Sequence, residues 1–275
     1  MSAPPLSAPV STPTAEAKLR IGAVEGVAHS LTLAKRNLRY VLRTPTTLID
    51  TVIQPVLFLL VFVFLFGGAI SGGWQDYLQT LVPGLMVQIT MYASMGTGMA
   101  LNTDISKGVF DRFRSLPIAR AAPLVGAVLG DVIRYVVAVV VLLLLAVALG
   151  FRIQTDPLSA LLACVLVVVF GLTLCWMSVL VGMLVASPQA VPGLATAIIL
   201  PLTFGSNIFV APETMPRWLE VWAAINPVSY FVDTVRGLMI GGPVAEPLAV
   251  SAFAVVACHA VLLPLAISAY LRKVR

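Results

Sequence analysis

Charged side chains of the segment Asp104–Arg120, DISKGVFDRFRSLPIAR, lie between two long apolar runs and have a pattern that could bind another molecule. Its apolar residues fall near one face of a helix, most of its charged residues fall off that face, and Pro117 ends the helix. A short amphipathic helix with charges of both signs can dock in a groove of a soluble partner. The segment is therefore predicted to contact another protein, and the alternative is a solvated loop.

Two aspartate–arginine pairs within largely apolar sequence are the next candidates: Asp131 with Arg134, and Asp233 with Arg236. Ionisable groups are costly inside a membrane, and a spacing of three residues places two side chains on one helix face. Each pair is predicted to form a local ion pair. The functional alternative for the second pair, together with Asn207, is a gate or the lining of a transport path. The first pair could instead contact the N-terminal helix or a partner protein.

One histidine and three cysteines complete the candidates. His259 lies well inside an apolar run, where an interhelical hydrogen bond is a commoner role than a proton relay. The cysteines all lie in apolar runs and are predicted to be small buried side chains, without a disulfide or a metal: Cys164, Cys175 and Cys258. The sequence contains no G-x-x-x-x-G-K-[ST] motif, so no nucleotide-hydrolysing site of that type is expected in this chain. No catalytic residue and no cofactor of its own is predicted.

The composition indicates the class of protein that must position these groups. The chain is 59% hydrophobic and 11% charged, with a mean hydropathy of +1.00, whereas a soluble domain has about 25% charged residues. An all-α, polytopic membrane protein is therefore predicted. The net charge of +5 does not indicate nucleic-acid binding, because the cations lie at the ends of apolar runs.

Six apolar runs are predicted to be membrane-spanning helices: about 49–66, 78–101, 124–149, 158–186, 193–209 and 247–271. Trp74 and Tyr77, in the turn after the first run, are predicted to anchor at the interface. Between the last two runs, Val210–Glu246 is broken by prolines and is predicted to form a re-entrant hairpin of short helices in the outer leaflet.

The N-terminal part divides into a predicted disordered cytoplasmic tail, residues 1–23, and the start of the transmembrane domain, residues 24–275. Val24–Arg43 has one apolar stripe flanked by the cations Lys35, Arg36, Arg39 and Arg43. This pattern is typical of a helix that lies at the membrane interface on anionic lipid, and the alternative is a soluble helix packed on a partner. Most basic residues fall on one side of the predicted membrane, which predicts that both termini and the segment Asp104–Arg120 are cytoplasmic.

Two stretches of the chain resemble a known family. GVFDRFRSLPIAR, residues 108–120, resembles the coupling segment of type-2 ABC exporter permeases. PETMPRWL, residues 212–219, and NPVSYFVDTVRGL, residues 226–238, resemble that family's last extracellular segment. FGSNIFV, residues 204–210, resembles the drug-resistance branch, typified by daunorubicin-resistance permeases.

The resemblance implies the function and the partners. It implies six spans, an interfacial helix, a cytoplasmic coupling helix and an outer re-entrant hairpin, in a dimer of permeases with two ATP-binding subunits. The residues that would contact the ATPase are Gly108, Asp111, Arg112, Phe113, Arg114, Leu116 and Pro117. ATP and magnesium would bind the partner ATPase, and the complex would export amphiphilic drug-like or lipid-like compounds across a bacterial inner membrane.

Three alternatives remain open. A type-2 ABC exporter of polysaccharide or lipid-linked glycan would favour aromatic residues along a continuous channel, and the sequence does not show where its aromatics face. A transporter independent of ATP usually has several intramembrane carboxylates or inverted repeats, and neither is found. A membrane enzyme would need a polar catalytic cluster, and Asp131, Arg134 and His259 match no catalytic motif.

Overall fold

The structure is a computed structural model that describes residues 45–108 and 122–273, with side chains from residues 52–108 and 124–273. The regular elements in these ranges are helices, which confirms the predicted all-α class for the described part of the chain. In chain order they are α1 Pro45–Val61, α2 Gly67–Ser71, α3 Trp74–Ser106, α4 Ala122–Ala148, α5 Pro157–Leu184, α6 Ala190–Phe204, α7 Arg217–Ile225, α8 Pro227–Ile240 and α9 Ala245–Lys273. A π-helical turn, Phe62–Phe66, joins α1 to α2, and a 3₁₀ turn, Pro212–Thr214, precedes α7.

Four helical stretches are long and apolar enough to cross a membrane: Val52–Ser71, Leu124–Ala148, Pro157–Leu184 and Ala245–Lys273. They coincide with the predicted runs 49–66, 124–149, 158–186 and 247–271. The other two predicted runs correspond to α3 and α6, which are not among the four. Polar side chains interrupt α3, and α6 has 15 residues, a length of about 22 Å at 1.5 Å per residue.

Of the long helices, α3, α5 and α9 run in the same direction and α4 runs in the opposite one. We call the end at which α3 ends and α4 begins the proximal end, and the other the distal end. At the distal end, Gln79 of α3 donates to the carbonyl of Gly150, after α4, over 3.1 Å. There the backbone N–H of Gln154, before α5, donates to the carbonyl of Met239 over 2.9 Å.

Helix α3 lies at the centre of the bundle. It packs against α1, α4, α5, α6 and α8. Every residue from Leu81 to Met91 is buried. Because other helices surround this stretch, its polar side chains face protein, and the usual requirement for an apolar outer surface does not apply to it.

Close backbone contacts hold α3 in place. In lipid, helices associate through packing and hydrogen bonds, and small residues let their backbones approach. Gly98 of α3 lies directly against the backbone of Ser178 on α5, and its N–H donates to the Ser178 hydroxyl over 3.2 Å. A Cβ on Gly84 would lie 2.8 Å from the carbonyl oxygen of Ile208. These glycines explain why the predicted second run packs closely.

Side chains just outside the helices determine where two of them begin. Asp156 precedes α5 and accepts hydrogen bonds from the backbone N–H of Ser159 over 2.9 Å and from its hydroxyl over 2.7 Å. These bonds hold the pKa of Asp156 below its usual value. Asn226 caps α8 in the same way, accepting from Val228 N–H over 3.0 Å.

The region predicted to be re-entrant contains α7 and α8, which differ in burial. Helix α7 exposes Trp218 and Trp222. Helix α8 packs against α3, α5 and α9 and buries an apolar face that includes Phe231 and Val235. Helix α8 therefore belongs to the core of the bundle, and α7 lies on its surface.

Candidate functional site

The residues predicted to contact an ATPase or lipid lie mostly outside the described ranges. This applies to Asp111, Arg112, Phe113, Arg114, Leu116 and Pro117, and to Lys35, Arg36, Arg39 and Arg43. Gly108 is described, and its φ of 67° is a left-handed conformation that favours glycine. Helix α3 continues to Ser106 before this glycine, so Asp104 and Ile105 belong to α3.

The structure brings the three residues predicted for a path or gate into one cluster at the distal end. Asn207 Nδ2 donates to Asp233 Oδ1 over 2.6 Å, and Arg236 Nη1 donates to the same oxygen over 3.0 Å. Arg236 Nη2 also donates to the carbonyls of Asn207, over 3.0 Å, and Thr80, over 3.4 Å. The predicted Asp233–Arg236 ion pair is confirmed. This distal cluster joins α3, α8 and the segment after α6.

Burial weakens the charged state of both partners in the distal cluster. Desolvation raises the pKa of Asp233, and Arg236 and the Asn207 hydrogen bond act in the opposite direction. Desolvation also lowers the pKa of Arg236, against the effect of Asp233. In the described part of the chain, Asn207 Oδ1 and Arg236 Nε are buried and have no hydrogen-bond partner. Opening the cluster to water would return part of this desolvation cost.

Replacing Asp233 by alanine is expected to lower the free energy of unfolding by about 1–2 kcal/mol, because Arg236 then keeps only carbonyl acceptors. The loss is smaller than for a fully buried pair, because the Asp233 side chain is 42% exposed. Thermal unfolding of the purified permease in detergent measures it. Glu220→Ala, on the exposed α7, is the matched control. Equal melting temperatures for the two variants would show that the distal cluster does not contribute to stability.

A buried polar side chain lies in the contact between α3 and α6, which we call the α3–α6 seam. Gln88 stands between Gly84, which touches Ile208, and Met91, which contacts Thr203, on one face of α3. Its side chain is 1% exposed. Within residues 52–108 and 124–273, neither its amide nitrogen nor its amide oxygen has a hydrogen-bond partner. Such a group is costly to bury, so its presence calls for an explanation.

The hydroxyls along the same seam have weak partners. Thr196 and Thr203 of α6 donate to the sulfurs of Met95 and Met91, each over 3.9 Å. A thioether is a weak acceptor, and methionine is flexible and polarizable. The seam therefore combines an adaptable apolar surface with amide and hydroxyl groups that can form stronger bonds than they have.

A buried ion pair joins α4 to α3 near the middle of both helices. Arg134 Nη2 lies 3.2 Å from Asp131 Oδ1, which confirms the predicted local pair. The same nitrogen donates to the carbonyl of Ala93, and the guanidinium rests on Gly96, where an added Cβ would lie 2.9 Å from both terminal nitrogens. The Cys175 thiol of α5 faces Asp131 Oδ2 at 3.7 Å.

His259 connects α9 to α5. Its Nδ1 lies 3.0 Å from the carbonyl oxygen of Val255 and 3.4 Å from the hydroxyl oxygen of Thr173. Because a carbonyl can only accept, Nδ1 carries the hydrogen. The contact with Thr173 confirms the predicted interhelical hydrogen bond.

Sequence reasoning missed Gln88, which lacks a hydrogen-bond partner in the described part of the chain, and Asn102, which binds two carbonyls of another helix. A signal existed for Gln88 and Asn102, because an amide side chain within or at the end of an apolar run needs a partner or a function. The glycines of the second predicted run, Gly96 among them, indicate close packing, and the structure places the Arg134 guanidinium against Gly96.

Comparison with known proteins places this architecture in a family. Residues 29–240 match the family model described as ABC-2 type transporter. The chain is 44% identical over 197 residues to the daunorubicin resistance ABC transporter permease protein of Streptomyces coeruleorubidus, covering 72% of this chain and 70% of that one. It is 28% identical over 223 residues to a probable doxorubicin resistance ABC transporter permease protein of Mycobacterium tuberculosis, covering 81% and 80%.

A more distant relative is a putative transport permease of Cyanophora paradoxa, 28% identical over 213 residues that cover 75% of this chain and 72% of that one. The family match extends over most of the chain and includes α3 to α8 as well as residues 109–121. The chain therefore belongs to the ABC-2 type transporter family, as a multi-pass membrane permease subunit whose ATP-binding partner is a separate chain.

Proposed function

We propose that this permease exports amphiphilic, drug-like or lipid-like compounds from a bacterial cell. The observation that carries the proposal is the 44% identity to a daunorubicin resistance permease. The α3–α6 seam supports it, because an opening of this contact would present Gln88, Met91 and Met95 to one molecule for both apolar contact and hydrogen bonding. Flexible, methionine-rich surfaces accommodate several ligands, as an exporter of varied amphiphiles requires.

The proposed topology has six spans in the inner membrane, with α3 and α6 added to the four apolar helices. The helix directions support it, because α3, α5 and α9 run from the distal to the proximal end and α4 and α6 run the opposite way. In this topology the distal side holds only the basic residues Arg152, Arg217 and Arg236, and the proximal side holds most others. This asymmetry favours a cytoplasmic proximal end with both termini inside, and an outer re-entrant hairpin formed by α7 and α8.

The proposed mechanism begins at the ATPase, which binds ATP and magnesium, while this chain holds no cofactor. Two permeases, identical or different, form a dimer, and each coupling segment, residues 108–120, contacts one ATPase subunit. ATP binding draws the two ATPases together and displaces the coupling segments as rigid bodies. The permease opens outward, and the compound leaves because the outward state binds it more weakly. The interfacial helix, with Lys35, Arg36, Arg39 and Arg43, rests on anionic lipid.

Replacing Asp111 and Arg112 together by alanine is expected to uncouple ATP hydrolysis from transport. Hydrolysis should continue, while transport should fall about tenfold, the effect of losing roughly 1.4 kcal/mol of coupling free energy. Proteoliposomes containing the permease and its cognate ATPase, loaded with a fluorescent anthracycline, report both rates in one sample. Arg152→Ala, an exposed cation at the distal end, is the control.

Two results would contradict the proposed function. Vectorial transport by the purified permease without any ATPase would remove the need for a coupling segment. Transport of a lipid-linked glycan, with no transport of anthracycline by the wild-type complex, would replace the proposed substrate class and leave the ATP coupling in place.

A further inference from the structure

The proximal end of α5 is capped by side chains from two other helices. Asn102 Nδ2 of α3 donates to the carbonyl oxygens of Gly182, over 2.5 Å, and Val185, over 2.9 Å. Lys273 Nζ of α9 donates to the same two oxygens, over 3.4 Å and 2.8 Å respectively. We call this set of four residues the proximal cap.

The local conformation explains why distant helices supply these donors. The last carbonyls of a helix lack partners within it, and a glycine turn or a nearby cation usually satisfies them. Here the chain turns away at Val185, which is extended, with φ −87° and ψ 144°. The carbonyls of Gly182 and Val185 are therefore left for other helices. Asn102 is 2% exposed, so its two bonds form in a site shielded from water.

The position of the proximal cap links two parts of the transport machinery. Asn102 lies in the last turn but one of α3, shortly before Gly108, where the coupling segment begins. Val185 begins the short connection to α6, which starts at Ala190 and carries one side of the α3–α6 seam. The cap thus joins the helix that enters the coupling segment to the connection that leads into α6.

The surroundings of the cap are rigidly packed. An apolar cluster at the proximal end contains residues from α3, α4, α5 and α9, among them Leu101, Leu124, Trp176 and Tyr270. Leu101 and Leu124 lie on the two helices that flank the coupling segment. If the coupling segment moves, the helices of this apolar cluster move with it. The proximal cap connects these helices to the α5–α6 connection by hydrogen bonds.

We propose that Asn102 is a positioning residue for ATP-driven transport, which passes the displacement of the coupling segment to α6 through the carbonyls of Gly182 and Val185. Lys273 holds the same carbonyls from α9 and is the secondary donor. A test that measures transport rests on the proposed export of amphiphiles. The hydrogen bonds from Asn102 to Gly182 and Val185 are independent of that proposal.

The test compares Asn102→Leu and Asn102→Ala with the wild type in proteoliposomes that contain the cognate ATPase. The quantity measured is the number of anthracycline molecules transported per ATP hydrolysed. We expect ATP hydrolysis to stay within about twofold of wild type and the ratio to fall about tenfold, as for a loss of roughly 1.4 kcal/mol of coupling. Lys273→Met should lower the ratio less, because Asn102 still binds both carbonyls, and Lys273→Arg should keep it.

Thr103→Val is the matched control, because Thr103 is the next residue of α3 and its hydroxyl donates to the carbonyl oxygen of Met99 in the same helix over 2.8 Å. A purely structural role for Asn102 would lower the amount of complex and both rates in proportion, leaving the ratio unchanged. An unchanged ratio in Asn102→Ala, or an equal fall in Thr103→Val, would overturn the proposal. Asn102→Ala adds no bulk and carries the test if Asn102→Leu does not assemble.

A second measurement separates this inference from the proposed substrate. If the wild-type complex hydrolyses ATP without moving anthracycline, the proposed function fails and the inference is tested by distance. Spin labels at the exposed positions Ser106 and Gln189, with the three native cysteines replaced, report the separation of α3 and the α5–α6 connection. ATP should shift both labels together in the wild type and change their separation in Asn102→Ala. The same nucleotide response in both proteins would overturn the inference.

Discussion

Replacing Gly98 by valine is expected to lower the free energy of unfolding by at least about 4 kcal/mol, the range of mutations with exceptional effects. The added side chain would occupy space that the backbone of Ser178 already fills. The backbone of Ser178 is held by the hydrogen bonds of α5 and cannot move aside, so α3 and α5 would have to separate. Separation would also break the bond from Gly98 N–H to the Ser178 hydroxyl and the bond from that hydroxyl to the Met95 carbonyl.

Size-exclusion chromatography and thermal unfolding of the detergent-solubilised permease measure this effect. Gly193→Val is the control, because nothing lies within 4 Å of a Cβ at that position. We expect the stability of the control to change by less than about 1 kcal/mol, because valine is no worse a helix former than glycine. A Gly98→Val protein that melts like the control would mean that α3 and α5 do not pack against each other at Gly98.

Replacing Arg134 by methionine is expected to lower the free energy of unfolding by about 3–5 kcal/mol, the usual cost of leaving one partner of a buried ion pair uncompensated. The Asp131 side chain is 13% exposed, so water cannot replace the lost cation. A second substitution, Asp131→Leu, removes the stranded carboxylate. The double variant is therefore expected to recover most of the loss, since apolar replacements for a buried pair are often close to neutral.

The four proteins of this double-mutant cycle are compared by thermal unfolding in the absence of the ATPase. A double variant no more stable than Arg134→Met would show that the bond from Arg134 to the Ala93 carbonyl matters more than the ion pair. Unchanged melting with weakened ATPase binding would support the alternative that this pair contacts the partner protein.

Local spacing predicted the features that depend on a single helix. The pairs Asp131–Arg134 and Asp233–Arg236 form because residues three apart share a helix face whatever the rest of the fold does. The four helices that are long and apolar enough to cross a membrane follow from the length and composition of their runs. That Asn207 lies beside Asp233, 26 residues away, depended on the fold of the segment between them.

Contacts between helices could not be predicted in this way. Hydropathy does not specify which helices associate, because lipid is as apolar as the packed side chains. The bond of Asn102 to Gly182, 80 residues away, therefore requires the crossing of α3 and α5 to be known. The prediction that Tyr77 anchors at the interface was wrong. Tyr77 is buried and donates to the Phe209 carbonyl over 3.0 Å, because its face of the first turn of α3 packs against the segment after α6.

The polar character of α3 has a consequence for biogenesis in the proposed six-span topology. As the nascent chain leaves the ribosome, α3 is made before α5 and α6, so Gln88 and Asn102 meet the translocon while their neighbours are still unsynthesised. Thr90 and Ser94 bond to carbonyls of their own helix and need no partner, but Asn102 does. Stable insertion of α3 into the bilayer must therefore wait until α5 has been synthesised. The helices then integrate into the membrane as a group and not one after another.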